Sequence, residues 1–295
     1  MKHFLTLKDY SSKELLGLIK LGRKIKMTPS KYENKLRGKV LLMLFAKPSL
    51  RTRLSFEIGM LGLGGHAIFY DISTSPLGKK ESIRDGSAVS TRYVDIVMAR
   101  LYEHKDIEEF ASHSSVPVIN GLTNSYHPCQ ALGDMLTIWE KFHGFNVKLA
   151  YLGDANNNVT HSLMYACSKL GVKMQIACPK SKEFMPDSRV VKETGVKVVS
   201  LKEAVRGADV IYSDSWRSYH IKDSQMKRRL KALKKYQVNS KTFGRKALFM
   251  HCLPATRGEE VTDQVMDSPR SVILDQAENR EHIEKAIMLK LMRKG

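Results

Sequence analysis

The sequence of 295 residues contains no long hydrophobic run. Its longest apolar stretches, such as residues 39–46 (KVLLMLFA), are far shorter than the roughly 20 apolar residues that a membrane-spanning helix needs. The N-terminal stretch also lacks the apolar segment and small-residue cleavage site of a secretory signal. Instead, Ser11 and Glu14 predict a capping box at the start of a first helix. We therefore expect a cytoplasmic protein without a membrane partner.

Cysteine is scarce, and its spacing indicates no cross-link. The four cysteines form no C-x-x-C pair and no metal-ligand spacing: Cys129, Cys167, Cys178 and Cys252. In a chain of this length a disulfide framework is not expected, which favours a reducing compartment. The sequence predicts no metal site.

Acidic residues are too few to balance the basic ones. There are 30 Asp and Glu against 49 Lys and Arg, which gives a net charge of +19. Such an excess favours an anionic partner, either a nucleic acid or a small anionic substrate. The densest basic stretch, residues 222–241, has Tyr236 as its one aromatic residue, and its cations recur at helical spacing beside Leu230 and Leu233. A solvated helix face explains this pattern better, so no nucleic-acid partner is expected.

Short apolar runs alternate with amphipathic stretches almost throughout the chain. The runs predict strands over residues 40–46, 66–71, 95–99, 116–119, 147–152, 173–177, 197–199, 210–213, 247–251 and 272–274. Helical patterns lie between them, for example over residues 52–63, 81–91 and 106–114. This alternation is typical of βαβ units, and the length of the chain suits two of them. We therefore expect an α/β fold with two doubly wound parallel-sheet domains.

Two long helices define the expected domain organisation. A helix over Cys129–Phe142, ending at Gly144, is the expected connection between the domains. The last segment, residues 277–293, is a second amphipathic helix with no strand after it, and we expect it to return to the first domain. The expected division is a first domain at residues 1–128, an interdomain helix at 129–144 and a second domain at 145–276.

Polar or reactive side chains follow many of the predicted strands. In open parallel sheets, ligands bind beyond the carboxyl ends of the strands, so these residues are the first candidates for a site. They are residues 49–53 (SLRTR), Arg100, residues 127–130 (HPCQ), residues 154–158 (DANNN), Asp214 and residues 251–254 (HCLP).

The stretch after the first strand has the features of an anion site. Ser49 and Thr52 offer hydroxyl groups, Arg51 and Arg53 offer forked donors, and a helix pattern begins at the same point. A helix N-terminus with such donors suits a phosphate group. No G-x-x-x-x-G-K-[ST] sequence is present, so nucleotide binding is not supported.

These stretches together resemble the aspartate/ornithine transcarbamylase family, and most closely its ornithine-type members. FAKPSLRTRLSFE, from Phe45, is similar to the family's carbamoyl-phosphate motif F-x-x-x-S-T-R-T-R-x-S-F-E. HPCQALGD, from His127, is similar to H-P-x-Q-x-L-x-D, and FMHCLPA, from Phe249, contains the H-C-L-P element of ornithine enzymes. GDANNN, DSW and DQAENR also resemble ornithine-type segments. The matches run from Lys39 to Ala286 in family order.

The resemblance implies transfer of the carbamoyl group from carbamoyl phosphate to the side-chain amine of L-ornithine, giving L-citrulline and phosphate in arginine metabolism. It implies no metal or organic cofactor, because carbamoyl phosphate is already activated and catalysis is positioning plus electrostatics. It also implies a homotrimer or an assembly of trimers.

Site residues follow from the resemblance. The phosphate would be held by Ser49, the backbone of Leu50, Arg51, Thr52 and Arg53, and the carbamoyl group by Arg100, His127 and Gln130. The amino acid would be held by Asn157, Asp214, Ser218 and Tyr219, with Cys252 and the Leu253 carbonyl beside the attacking amine. Arg280 would complete the site. Hydrogen bonds to the carbamoyl oxygen would each stabilise the transition state by ~3–4 kcal/mol.

Three departures from the family pattern keep alternatives open. Leu50 replaces the usual threonine, which removes one hydroxyl from the anion site. Tyr219 and His220 replace the usual Met-Gly, which favours another amine, such as putrescine or an acylated ornithine, as a rival substrate. The stretch SPLGKKESIRD, residues 75–85, partly resembles the mobile loop of the aspartate enzymes, which reaches the neighbouring subunit's site. Lys79 or Lys80 either does the same here or belongs to an exposed basic loop. A catalytically silent paralogue that binds nucleic acid or a partner enzyme is the third hypothesis.

Overall fold

The computed structural model describes residues 3–217 and 223–292. The chain divides into two compact units, Met1–Leu136 with Glu278–Gly295, and Thr137–Ala277. Each unit contains one sheet in which every pairing is parallel, as the α/β prediction required. Within the described residues no helix is both long enough and apolar enough to cross a membrane.

The first unit is built on a four-stranded sheet. Its strands are β1 (Val40–Phe45), β2 (His66–Asp71), β3 (Ile96–Arg100) and β4 (Val118–Leu122), in the order β2-β1-β3-β4. Its helices are α1 (Ser12–Met27), α2 (Leu50–Leu61), α3 (Ile83–Ser90), α4 (His104–Ser112) and the start of α5 (Pro128–Phe142). Strands β1, β3 and β4 are almost wholly buried because apolar side chains cover both faces. The predicted capping box at Ser11 and Glu14 is present and starts α1.

The second unit is built on a five-stranded sheet. Its strands are β5 (Lys148–Leu152), β6 (Lys173–Ala177), β7 (Lys197–Val198), β8 (Val210–Ser213) and β9 (Leu248–His251), in the order β7-β6-β5-β8-β9. Its helices are α6 (Asn158–Leu170), α7 (Ser188–Thr194), α8 (Leu201–Val205), α9 (Asp223–Leu233), α10 (Asp263–Met266) and the start of α11 (Ile273–Met292). Trp216, Tyr151 and Tyr212 are its largest fully buried side chains.

Each sheet has a point where the chain reverses its direction of travel across the strands. In the first unit the chain goes from β1 outward to β2 and then crosses to β3 on the other side. In the second unit it goes from β5 out to β7 and then crosses to β8. At such a point the connections leave on opposite sides and open a crevice beyond the strand ends, where ligands bind. The crevice positions are therefore the ends of β1 and β3, and of β5 and β8.

One predicted strand is wrong. Val272 directly precedes α11 and residues 273–274 begin it rather than forming a strand, and in this region an isolated bridge pairs Phe249 with Ser271. A three-residue apolar run does not distinguish a strand from the first turn of a buried helix, and here the helical pattern continues to Met292. The other predicted strands are confirmed, with ends that differ by one or a few residues. From Glu278 onward α11 belongs to the first unit, as expected for a returning helix.

Candidate active site

The anion-site candidate lies at the start of α2, directly beyond β1. Ser49 is the N-cap of α2, and its hydroxyl accepts a hydrogen bond from the Thr52 backbone N–H at 3.2 Å. The first backbone N–H groups of a helix have no intrahelical partner, so this turn presents donors and a positive dipole end. Thr52 is 1% exposed, whereas the Leu50 side chain is 70% exposed. The Leu50 side chain therefore contributes no polar group to this turn.

Arg51 and Arg53 point in different directions. Residues two apart on a helix are separated by about 200°, so their side chains leave opposite faces. Arg53 pairs with Glu57 at 3.1 Å, and its guanidinium stacks 4.1 Å from the centroid of the Phe69 ring. Arg51 instead acts electrostatically on His127. The structure therefore does not support the expectation that Arg53 joins Arg51 in holding a phosphate.

His127 is the buried centre of the candidate site in the first unit, which comprises the anion-site turn and the residues around His127 and is called the first half-site below. It lies directly before Pro128, the first residue of α5, and is 4% exposed. Burial lowers the pKa of His127 well below its ordinary value. Three guanidinium groups act in the same direction, in decreasing order those of Arg280, Arg100 and Arg51. The imidazole is therefore neutral at physiological pH and keeps one N–H with which to donate a hydrogen bond.

Gln130 presents an oxygen beside this histidine. Its Nε2 donates to Asp134 Oδ1 at 2.9 Å, which fixes the orientation of the amide. Its Oε1 is buried and has no hydrogen-bond partner among the residues that the structure describes. A buried acceptor in that position can take an N–H from a ligand, which removes the penalty of leaving it unpaired.

Arg100 reaches the site because β1 and β3 are neighbours. The register pairs it with Phe45, so its backbone lies beside the end of β1. Lys47, which the sequence argument did not single out, is placed in the same region. It is 4% exposed and donates to Asn124 Oδ1 at 2.5 Å. Burial and the Arg100 charge lower the pKa of Lys47 to about 8.

Arg280 belongs to the first unit and contacts the anion-site turn directly. Its Nη2 donates to Thr52 Oγ1 at 3.1 Å and lies 3.2 Å from Glu284 Oε1, four residues further along α11. Gly133 of α5 permits this close approach, because a Cβ at that position would lie 3.0 Å from Arg280 Cγ. Arg280 is 3% exposed, so it is not an ordinary surface cation.

The candidate site in the second unit, called the second half-site below, lies at the ends of β8 and β9. Their register pairs Ser213 with His251, so the next residues, Asp214 and Cys252, lie side by side. The Cys252 thiol donates to Asp214 Oδ1 at 2.9 Å. Leu253 follows with φ of 60°, and its N–H donates to His251 Nδ1 at 2.9 Å. This turn brings a thiol and a carboxylate together in a half-buried position.

Gln276 holds the end of β9 in place and was missed from the sequence. It is fully buried, its Oε1 accepts from the His251 backbone N–H at 2.9 Å, and its Nε2 donates to the Tyr212 hydroxyl at 3.2 Å. The side-chain ligand atoms of Asp214, His251 and Cys252 lie within 4.8 Å of one another. However, His251 Nδ1 already accepts a hydrogen bond and its Nε2 lies 3.4 Å from Glu260, so the cluster is not arranged for a metal ion.

Asn157 lies beyond β5, at the other side of the second crevice. It is the N-cap of α6, and its Oδ1 accepts from the Thr160 N–H at 2.8 Å. Its Nδ2 donates to the Tyr151 hydroxyl at 3.0 Å and to the Asp154 carbonyl oxygen at 2.8 Å. Gly153 begins this turn with φ of 118°, and a Cβ there would lie 2.6 Å from Trp216 Nε1. Glycine is therefore required at this position.

The remaining candidates are two lysines and a stretch that lies outside the described residues. Lys79 is exposed and its Nζ donates to the Ser73 carbonyl oxygen of its own loop at 2.6 Å, while Lys80 is exposed beside it. Ser218, Tyr219 and His220 lie outside the described residues. The two groups assembled by the structure are thus Ser49, Arg51, Thr52, Arg100, His127, Gln130 and Arg280 in the first unit, and Asn157, Asp214, Cys252 and Leu253 in the second.

Comparison with known proteins gives two family matches that cover nearly the whole chain. Residues 2–140 match the family described as aspartate/ornithine carbamoyltransferase, carbamoyl-P binding domain. Residues 145–291 match aspartate/ornithine carbamoyltransferase, Asp/Orn binding domain.

Individual relatives agree with these matches. The ornithine carbamoyltransferase of Shewanella oneidensis is 45% identical over 99% of both chains. The anabolic ornithine carbamoyltransferase of Pyrococcus furiosus is 45% identical over 99% of this chain and 96% of its own length. The solved structure of ornithine carbamoyltransferase from Pyrococcus furiosus superposes with a TM-score of 0.93 at 44% identity, covering 99% of this chain and 97% of that one. This chain therefore belongs to the aspartate/ornithine carbamoyltransferase family.

Proposed function

We propose that the protein transfers the carbamoyl group of carbamoyl phosphate to the side-chain amine of L-ornithine, giving L-citrulline and phosphate. The observation that carries this proposal is the buried neutral His127 within the field of three guanidinium groups. Such a group suits an anionic ligand that also carries a carbonyl oxygen. The choice of ornithine is supported by relatives that are 45% identical and are named for that amino acid.

The phosphate would sit at the start of α2. Arg51 supplies a forked cation, and the unpaired N–H groups of the first turn, including that of Leu50, point at the oxygens. Ser49 fixes the turn through its cap bond to the Thr52 N–H. Arg53 is left out of this role because it stacks on Phe69 and pairs with Glu57.

The carbamoyl group would lie against His127. A neutral imidazole N–H and the Arg100 guanidinium donate to the carbonyl oxygen, where negative charge develops as the amine attacks. The Gln130 Oε1 accepts an N–H of the carbamoyl amide. Arg280, positioned by Thr52, adds a further positive charge beside the leaving phosphate. The reaction needs no metal or organic cofactor in this proposal, because phosphate is already a good leaving group.

The amine would bind in the second half-site. Asp214 would attract the side-chain ammonium, and the thiol of Cys252, which contacts Asp214, and the carbonyl of Leu253 would accept its N–H groups. Loss of one proton exposes the nitrogen lone pair, which attacks the carbonyl carbon. A C–N bond forms, the C–O bond to phosphate breaks, and the second amine proton is released. Asn157, Ser218 and Tyr219 would hold the amino-acid end.

We further propose that the first unit contacts other copies of the same chain in a homotrimer or an assembly of trimers. One face of α2 exposes apolar side chains at helical spacing: Leu50, Leu54, Ile58 and Leu61 are each 47–70% exposed. The neighbouring edge strand β2 adds Ile68, Phe69 and Tyr70, each 38–48% exposed. Exposed apolar side chains on a helix face and on the edge strand of the described sheet are typical of a protein interface. Lys79 or Lys80 would then reach the neighbouring subunit's site.

A substrate panel tests the reaction. Carbamoyl-phosphate-dependent product formation is measured with ornithine, putrescine, N-acetylornithine, N-succinylornithine and aspartate side by side. We expect a strong preference for ornithine. Preference for another amine would move the assignment to a sister enzyme, and tight, salt-sensitive nucleic-acid binding without any turnover would favour a silent paralogue.

A matched pair of variants tests the phosphate assignment. Arg51→Ala should reduce kcat/KM for carbamoyl phosphate by at least ~10²-fold, because it removes a charged contact to the phosphate. Arg53→Ala removes the same charge two residues away and should change this ratio by less than ~5-fold. Equal losses in the two variants would show that the whole turn, not Arg51, is what matters.

A further inference from the structure

A carboxyl group is buried behind an arginine that the proposed function places next to an anion. Glu284 of α11 is fully buried, and its Oε1 lies 3.2 Å from Arg280 Nη2. The Ser55 hydroxyl of α2 also faces this carboxyl group. An anionic group at this depth is unexpected beside a site for a phosphate, because like charges in a poorly hydrated region repel.

The same nitrogen of Arg280 links Glu284 to the anion-site turn. Arg280 Nη2 donates to Thr52 Oγ1 at 3.1 Å, so one guanidinium corner lies between the Thr52 hydroxyl and the Glu284 carboxyl group. Gly133 packs directly against the Arg280 backbone, which leaves the arginine little room to move. A change in the charge or position of Glu284 therefore acts on Arg280 and, through it, on the turn that begins α2.

The charges around Glu284 are few. Among the described residues, Arg280 is the cation that acts on it, Glu281 on the same helix repels it, and the buried Cys129 thiol of α5 faces it. Burial, the largest effect, raises the pKa of Glu284 to about 7, against the opposing effects of Arg280 and the Ser55 hydroxyl. The carboxyl group is thus divided between its neutral and ionised forms near neutral pH.

We infer that Glu284 is a positioning residue of the carbamoyl-phosphate half-site: it holds Arg280 against Thr52, and it takes up a proton when the anion binds. This inference rests on the proposed function, because it needs carbamoyl phosphate to bind beside Arg280. In the neutral form the carboxyl group leaves the full charge of Arg280 to the ligand. In the ionised form it competes with the ligand for that charge.

The size of the effect follows from linkage. A dianion across one guanidinium from Glu284 raises the pKa of the carboxyl group by at least about one unit at an effective dielectric constant of about 20. With a pKa of about 7 in the free protein and about 8 in the complex, affinity falls as the pH rises through this range. Carbamoyl-phosphate binding should weaken roughly fivefold between about pH 6 and about pH 8, and take up about 0.4 proton at pH 7.

The test compares the wild type with Glu284→Gln, which keeps the shape of the side chain and removes its titration. The Kd of carbamoyl phosphate and its KM are measured across this pH range, and proton uptake is measured by calorimetry in buffers of different ionisation enthalpy. Glu278→Gln removes an exposed carboxylate of α11 that lies 3.7 Å from Lys26 Nζ, and serves as the control. Glu284→Met, which also lacks a titratable group, gives a second variant with different packing.

We expect the wild type and Glu278→Gln to show the fivefold dependence, and both Glu284 variants to lose most of it. Lys47, with its pKa of about 8, also titrates in this half-site, and its contribution remains in every variant. A pH dependence that is identical in the wild type and both Glu284 variants would overturn the inference while leaving the proposed function intact. A wild type that does not bind carbamoyl phosphate at any pH would instead overturn the proposed function.

Discussion

A buried ion pair stabilises the turn that contains Asn157. Breaking this pair should raise the KM for ornithine and leave the KM for carbamoyl phosphate unchanged. Asp154 and Arg229 are 5% and 4% exposed, and Arg229 Nη2 donates to Asp154 Oδ2. Asp154 Oδ1 also accepts from the Asn156 N–H at 3.0 Å, and the Asp154 carbonyl oxygen accepts from Asn157 Nδ2 at 2.8 Å. The orientation of Asn157 therefore depends on Asp154, which is anchored by an arginine of α9.

The perturbation is Asp154→Asn, which keeps the shape and removes the charge. Arg229 keeps a second partner, Glu183 Oε1 at 2.7 Å, but the buried side of its guanidinium loses its counter-charge. Removing one partner of a buried pair costs ~3–5 kcal/mol, and the second carboxylate should bring the loss in unfolding free energy to the lower end. The displaced turn should raise KM for ornithine about tenfold and leave KM for carbamoyl phosphate unchanged.

Urea unfolding and steady-state kinetics measure the two effects. Asp187→Asn is the control, because that aspartate is a partly exposed helix cap that lies 3.8 Å from Arg189, and it should lose about 1 kcal/mol or less. The double variant Asp154→Asn with Arg229→Met should recover part of the loss, giving a coupling energy above ~1 kcal/mol. Additive losses, or equal increases in both KM values, would refute the role given to this pair.

Three further predictions concern catalysis and assembly. His127→Ala should lower kcat by ~10²–10³-fold. This factor should stay constant between about pH 6 and about pH 9, because the imidazole is already neutral. A factor that grows below about pH 6.5 would show that the protonated form is active. Cys252→Ser should retain measurable turnover, since direct transfer forms no bond to sulfur; complete loss in a folded variant, with trapping of a carbamoylated thiol in the wild type, would contradict this. Leu54→Lys with Leu61→Lys should dissociate the assembly in sedimentation experiments without unfolding the subunit, and an unchanged sedimentation coefficient would exclude this face.

Much of the fold could be predicted from the sequence because buried parallel strands are short, apolar on both faces and separated by helices. Val40–Phe45 and Val210–Ser213 meet all these conditions, and their predicted positions agree with the structure almost to the residue. Residues 272–274 met only the first two conditions. In the structure, pairing with Phe249 is limited to an isolated bridge at Ser271, and the helix that follows continues to Met292. Neither feature is visible in three residues.

Site residues that directly follow a strand were predictable from the sequence. The directions in which the side chains of a helix point were not. Asp214 and Cys252 were named because each follows a strand, and the register of β8 and β9 places them side by side. Arg51 and Arg53 were grouped because they are close in sequence, yet the helix sends them to opposite faces. Gln276 and Glu284 were missed because their importance comes from contacts made across the fold.

The two half-sites carry charges opposite to those of their proposed ligands, and this complementarity does not depend on the net charge of +19. The first is cationic because guanidinium groups are gathered around an imidazole that burial keeps neutral. The second offers the carboxylate of Asp214 to an ammonium group. In both, the groups that interact with the ligand are held by residues with no expected contact to it, such as Gln276 and Asp154. Substitution of these supporting residues should therefore change the KM of one substrate at a time, whereas neutralising surface lysines should change both association rates and their salt dependence.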